Sequence, residues 1–242
     1  MKIQKQLLLL SIALFINTVC LGQISFEARV NLAYEKSFNS GENHIKDLIK
    51  DLEHEFSKDK NLRDAHFIAY AHYRESSFLK DRDESKAFDT LKKGISLLQA
   101  EKNKNSNDYA LLGLMTSYSI VFQYEIAAII SSKATKYYEK CLELNPNNFR
   151  GYLGLGKSDL FRPVRYGGGL KVEGYLKKAL LLLNKKNNSS EDLQWGKFEV
   201  YYYLTSYYIK SNKISEAKVY GNQGLKKFPK NKRLISLLEK IK

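Results

Sequence analysis

The 34 residues FEVYYYLTSYYIKSNKISEAKVYGNQGLKKFPKN, from Phe198 to Asn231, decide the fold class. Tyr201, Leu204, Thr205 and Tyr208 recur at three- and four-residue steps, and Ala217, Gly221 and Gly224 follow in the same rhythm. Side chains at that spacing share one face of a helix, so the stretch reads as two amphipathic helices broken near 212–213. In the second of them, small or apolar residues stand at offsets 0, 4 and 7. The same offsets hold Ala87-Leu91-Gly94, Ala134-Tyr138-Cys141 and Val172-Leu176-Ala179, with a weaker copy at Ile45-Ile49-Leu52. The copies fall 42, 47, 38 and 45 residues apart, always on the second helix of a pair. Small residues there let helices approach closely, where a longer side chain would wedge them apart. A recurring helix pair of this length predicts stacked hairpins, each burying its face against its neighbours.

Working outward, helices are predicted near 25–38, 43–57, 62–79, 84–101, 107–128, 131–144, 148–161, 169–184, 191–211, 214–227 and 231–241. The breaks carry turn chemistry: Asn39-Ser40-Gly41, Asp81-Arg82-Asp83, Asn103 to Asn107, and Asn145-Pro146-Asn147-Asn148. Ser189-Ser190-Glu191-Asp192 has the form of a capping box. Period-two alternation is almost absent, so the chain reads as all-α. The final helix, with Leu234, Leu237, Leu238 and Ile241 on one side, is expected to cap the array.

Lys2 and Lys5 precede an apolar run from Leu7 to Phe15, and Cys20-Leu21-Gly22 follows. This is the form of an export signal over 1–22 with cleavage after Gly22, leaving 23–242 as one helical domain. Lipidation of Cys20 and an uncleaved anchor are the alternatives. The run is shorter than the ~20 apolar residues a membrane span needs, and no other segment is apolar for longer. Removing 1–22 takes away two lysines and no acid, so the charge of +14 becomes +12, from 38 basic and 26 acidic residues. Inside a cell such a charge would suggest nucleic acid. For an exported chain it points instead to anionic envelope polymers, lipid head groups or an acidic protein, or merely to soluble lysine-rich faces. With 43% hydrophobic and 27% charged residues, the composition is that of a folded globular chain. Two cysteines and four histidines exclude a disulfide framework and make a His- or Cys-built metal or catalytic centre unexpected.

The quoted stretch resembles the tetratricopeptide repeat. Tyr201-x-x-Leu204-Thr205-x-x-Tyr208, then Ala217, Gly221, Gly224 and Pro229, reproduces its spacing, although Gly221 stands where an aromatic is usual. Ala134-x-x-x-Tyr138-x-x-Cys141-x-Glu143-Leu144-Asn145-Pro146 is similar to a second helix with its terminal proline. Tyr152-x-x-Leu155-Gly156 is similar to a first helix, and Leu176 and Ala179 complete that hairpin. Val172 follows Gly156 by sixteen positions, where the family has twelve. The four extra residues lie in Arg162-Pro163-Val164-Arg165-Tyr166-Gly167-Gly168-Gly169, an insertion similar to one in a subgroup of exported bacterial tetratricopeptide proteins. The resemblance covers 131–231 and rests on periodicity alone over 24–101. It implies a right-handed α-solenoid of stacked antiparallel hairpins, a non-catalytic scaffold that binds a peptide or protein on its concave face. The first-helix residues it places there are Arg150, Leu153 and Lys157, then Glu199, Tyr202, Ser206 and Ile209. Tyrosines and cations in such a groove suit an acidic or carboxylate-bearing peptide.

The triple glycine, with Arg162, Arg165 and Lys171, offers an anion contact to weigh against a plain structural turn. It lacks the preceding strand and the hydroxyl of a Walker loop. Cys141 reads as a packing residue. His66 and His72 lie on different helix faces, and no carboxylate pair, Ser-His-Asp or Cys-His arrangement is legible. No cofactor, metal or nucleic acid is expected. The expected function is an interaction scaffold of the cell envelope; the alternative is a binder of an anionic small molecule or envelope polymer through the groove or the Arg162–Gly169 loop.

Overall fold

Six helices open on a side chain that accepts an orphan amide, Asn43 taking that of Lys46 at 3.1 Å in one of them. Ser25 takes the N–H of Ala28, Asp83 that of Lys86, Asn148 that of Arg150 and Asn231 that of Leu234, while Asn105 and Asp108 form a reciprocal capping box. The computed structural model describes residues 25–58, 64–185 and 193–241. Among these residues there are eleven α-helices: α1 (Phe26–Ser40), α2 (His44–Lys58), α3 (Asp64–Leu79), α4 (Glu84–Ala100), α5 (Ser106–Tyr118), α6 (Ala127–Leu144), α7 (Phe149–Phe161), α8 (Val172–Leu183), α9 (Lys197–Lys210), α10 (Ile214–Lys227) and α11 (Lys232–Glu239). Consecutive helices pack as antiparallel pairs, and the pairs stack in chain order into an all-α solenoid with α11 across its end. The export signal expected over 1–22 and the capping box at 189–192 lie outside the described residues.

The second helices make the stack. All the residues at the repeated offsets are buried: Ile45, Ile49 and Leu52 on α2, and the corresponding triplets on α4, α6, α8 and α10. Tyr138 shows why size matters there. Its ring lies between α5 and α7, where a Cβ on Gly113 would come within 2.4 Å of a ring carbon and one on Gly154 within 2.2 Å. At the far end, Leu238 and Leu234 of α11 fill the space that Gly221 and Gly224 leave open. Gly221 stands at the position of the missing aromatic because the cap supplies the apolar bulk.

The interior falls into two clusters. One is built on α1–α5 around Ile45, Leu91, Leu111 and Met115, the other on α7–α10 around Leu176, Val200, Tyr201 and Leu204. Between them runs a buried polar seam. Asn148 donates to Ser106 Oγ at 2.7 Å and Asn107 Oδ1 at 2.9 Å, and Ser106 donates to the carbonyl of Cys141 at 2.9 Å. Cys141 is fully buried and its thiol is pushed up to about 11 by burial, as a packing residue should be.

Four helix bounds differ from the periodicity by three residues or more. The predicted helix over 107–128 ends at Tyr118 and gives way to 3-10 turns at Ser119–Val121 and Tyr124–Ile126, so α6 starts early, at Ala127. Ser117 and Ser119 donate to the carbonyls of Leu114 and Thr116, competing with the helical ladder where the apolar pattern runs on unbroken. The helix predicted from 169 starts at Val172, because Gly167 and Gly169 hold φ of 75° and 89°. The helix predicted from 191 starts at Lys197, after Gly196 at φ 87°.

The wedge yields a paired prediction. Gly154→Val should lower unfolding stability by about 1–3 kcal/mol, read from the urea midpoint. Gly174→Ala, where a Cβ meets nothing within 4 Å, should be neutral or gain up to ~1 kcal/mol in the same measurement.

Candidate functional site

The first helices of successive hairpins converge on one small, open cleft of about 90 Å³. Tyr70, Tyr73 and Arg74 come from α3, Leu114 from α5, Leu153 and Lys157 from α7, Glu199 and Tyr203 from α9, and Arg233 from α11. Each first helix turns a stripe at i, i+3 or i+4 toward the same space, because its opposite face is taken by the second helices.

The electrostatics of the cleft are unbalanced. Arg74, Arg150, Lys157 and Arg233 surround a single carboxylate, Glu199. Burial lifts the Glu199 carboxyl above its usual range, against the pull of Arg233, Arg74 and Lys157. Burial likewise lowers the ammonium of Lys157, although Tyr73 and Glu199 favour its charge. Tyr73 and Tyr203 are both pushed up to about 12 by burial, so they stay neutral hydrogen-bonding walls. Three buried polar atoms of cleft-lining residues have no hydrogen-bond partner among the described residues: Glu199 Oε2, Arg74 Nε and Trp195 Nε1. Water reaching the cleft, or a bound group, could satisfy them.

One wall of the cleft is not a helix. The connection Leu193-Gln194-Trp195 is strapped across the N-terminal ends of the first helices. Glu27, buried on α1, accepts the N–H of Gln194 at 2.6 Å and that of Trp195 at 2.7 Å. Arg150 grips the same strap from α7, donating Nε to the Trp195 carbonyl at 3.1 Å and Nη2 to the Leu193 carbonyl at 2.8 Å. The Trp195 ring stacks on Tyr70 at 6.5 Å and takes the Arg150 guanidinium 4.6 Å from its centroid. A carboxylate for the amides and a guanidinium for the carbonyls hold this segment by its main chain, drawing α1 toward the start of α9.

The structure thus brings Arg150, Leu153, Lys157 and Glu199 together, four of the seven residues placed on the concave face. Arg150 is buried and serves the strap as much as the cleft. The other three do not line it directly. Tyr202 borders it, its ring under the Arg233 guanidinium at 4.4 Å and 5.3 Å from that of Tyr203, while Ser206 donates to the Tyr202 carbonyl one turn back and Ile209 packs onto the second core cluster. Sequence reasoning missed Tyr70, Tyr73 and Arg74, because the second hairpin shows no recognisable motif, and Arg233, because the cap was read only for its apolar stripe. Trp195 carried a usable signal, as the single tryptophan set directly before a glycine at a helix start.

The glycine loop is built differently from an anion cradle. The amides of Gly167, Gly168 and Gly169 donate to the carbonyls of Val164, Pro163 and Asp159, and the Asp159 carboxylate accepts the N–H of Lys171 at 2.7 Å. A Cβ on Gly168 would fall 1.9 Å from the Arg162 carbonyl, so glycine is required by packing. What remains for a ligand there is the side chains of Arg162, Arg165 and Lys171. The histidines are likewise engaged in the fold: His66 Nδ1 pairs with Asp108 at 2.8 Å and His72 Nδ1 with Thr90 at 2.8 Å.

No protein-family model and no curated protein matches the chain. Among solved structures, a thermophilic TPR protein of Thermus thermophilus aligns with a TM-score of 0.56 at 16% identity, over 89% of this chain and 98% of its own. At that identity the likeness concerns the fold, and it agrees with the hairpin array: the architecture is a tetratricopeptide-type helical solenoid.

The strap yields a direct measurement. Glu27→Ala leaves two buried amides without their acceptor, a loss of about 1–3 kcal/mol. Emission of Trp195, the single tryptophan, should shift to the red and become open to acrylamide quenching. An unchanged spectrum would mean that Glu27 does not hold the strap.

Proposed function

We propose that the chain is a non-catalytic interaction scaffold of the bacterial cell envelope, and that its cleft binds an extended segment of a partner protein. Support for the scaffold role comes from the solenoid fold, which serves protein–protein interaction generally. The observation that carries the cleft is the set of buried polar atoms on Glu199, Arg74 and Trp195 that have no partner among the described residues, gathered around one opening between the first helices. A peptide main chain offers amides to Glu199 and carbonyls to Arg74 and Lys157, as the strap already does for Glu27 and Arg150. The excess of cations over Glu199 favours a segment with acidic side chains. The envelope assignment rests on the basic and apolar character of residues 1–22. An anionic small molecule or polymer is the second reading, supported by the same excess of cations.

Two experiments test this. The chain from Gln23 and its Lys157→Glu, Arg74→Glu variant are used to capture partners from envelope extracts. A protein retained by the parent at 0.5 M salt and lost from the variant is the expected result. Equal capture by both removes the cleft from the function, and retention only at low salt, reproduced by anionic polymers, favours the second reading.

Glu199 adds a pH test whose sign is fixed by its raised pKa. Ionising it costs more in the folded than in the unfolded chain, so the unpaired carboxylate weakens the fold as pH rises above the ordinary Glu range. Glu199→Gln should therefore be at least as stable as the parent at pH 7 by thermal melting. The difference should vanish below about pH 4, where both side chains are neutral.

A further inference from the structure

Antiparallel pairing places the turn between the first and second helix of every hairpin along one edge of the solenoid. Three of those turns, Gly41–Asn43, Lys80–Asp83 and Ser211–Lys213, are short and polar. The turns of the two adjoining hairpins α5–α6 and α7–α8 are long, and both present apolar side chains to solvent. In the latter, Val164 is 84% exposed and Leu170 83%, with Phe161 and Tyr166 open beside them. In the former, Tyr124 is 75% exposed, and Ile129, at the start of α6, 69%. On the α7–α8 turn four such side chains fall within the ten residues 161–170, a concentration that marks an interaction surface.

The α7–α8 turn is shaped to display them. Its glycine amides close onto the turn's own carbonyls, and Asp159 ties down the amide of Lys171. The main chain is therefore fixed while Val164 and Leu170 project from it. Around them the charge is basic. Arg162, Arg165 and Lys171 belong to the turn, and Lys210 sits 5.3 Å from the Phe161 ring centroid. The acids nearby are engaged: Asp159 is buried, and Glu173 pairs with Lys177 at 2.6 Å. Glu125, on the α5–α6 turn, is exposed among these residues.

We propose that this edge docks on an anionic bilayer surface. Val164, Tyr166 and Leu170 enter the boundary between head groups and acyl chains, and Arg162, Arg165 and Lys171 pair with lipid phosphates. Exposed aliphatic side chains, a tyrosine and three cations on one short turn combine the residue types that an anionic lipid interface takes. Val164, Tyr166 and Leu170 stand exposed on one turn, a form that a deformable bilayer accepts without a shaped pocket. The site is distinct from the cleft, so the two readings fail independently.

The test uses the chain from Gln23, which contains every helix described, and co-sedimentation with phosphatidylglycerol–phosphatidylethanolamine vesicles against pure phosphatidylcholine. Binding to the anionic vesicles is expected, reduced by 0.5 M salt. Val164→Ser, Leu170→Ser should weaken it by about tenfold or more, as should Arg162→Glu, Arg165→Glu. Val164, Leu170 and Arg165 are exposed, so the serine variant should melt at the parent value. Arg162 lies 3.9 Å from the buried Asp159, so Arg165→Glu alone serves as the charge variant if the double one melts early. Lys157→Glu in the cleft should bind vesicles as the parent does. Absence of binding to anionic vesicles overturns the proposal, and so does undiminished binding by the serine variant. If no vesicle binds but light scattering shows an oligomer that the serine variant dissolves, the edge is a contact between copies of the chain, which equally overturns it.

Discussion

A pair of helices has more apolar surface than it can cover by itself, and the molecule is shaped by how it hides the remainder. Each second helix must come close enough to two first helices to seal the gap between them, and only small side chains, or one ring set against glycine, permit that approach. Tyr138 between Gly113 and Gly154 is the clearest instance. The cap obeys the same rule, with Leu234 and Leu238 seated over Gly224 and Gly221. Once the second helices are committed to sealing, the first helices have one free face each, and these faces meet around a common space. The cleft is thus a geometric by-product of the packing, which the sequence has then furnished with charge.

That division explains what could be read from residues alone. The packing positions repeat, so Ala87, Ala134, Val172 and Ala217 announced themselves, and even the weak copy at Ile45-Ile49-Leu52 lies in the core. Four of the proposed groove residues fell together because their hairpins carry legible motifs. The rest of the cleft does not repeat. Arg74, Trp195 and Arg233 reach it from a hairpin without a motif, from a connection and from the cap, and no spacing rule joins them. Helix bounds were lost where hydroxyls intercept the ladder at Ser117 and Ser119, since periodicity sees only apolar spacing.

The strap is held by its main chain. Glu27 and Arg150 hold Gln194 and Trp195 through amides and carbonyls rather than through side-chain identity. Contacts of this kind tolerate many side chains in the segment they hold, so what singles out Trp195 is its ring, against Tyr70 on one side and the Arg150 guanidinium on the other. Burying the Glu199 carboxyl sacrifices some stability at neutral pH.

The polar seam of Asn148, Ser106 and Asn107 gives the stack a grain, like that of split wood. Hydrophobic cohesion is continuous on either side of it, while across it directional bonds lie beside the Tyr138 wedge and the strap held by Glu27. Because those bonds run in fixed directions, one half cannot slide or turn against the other without breaking them, so the seam sets the register in which the two apolar blocks meet.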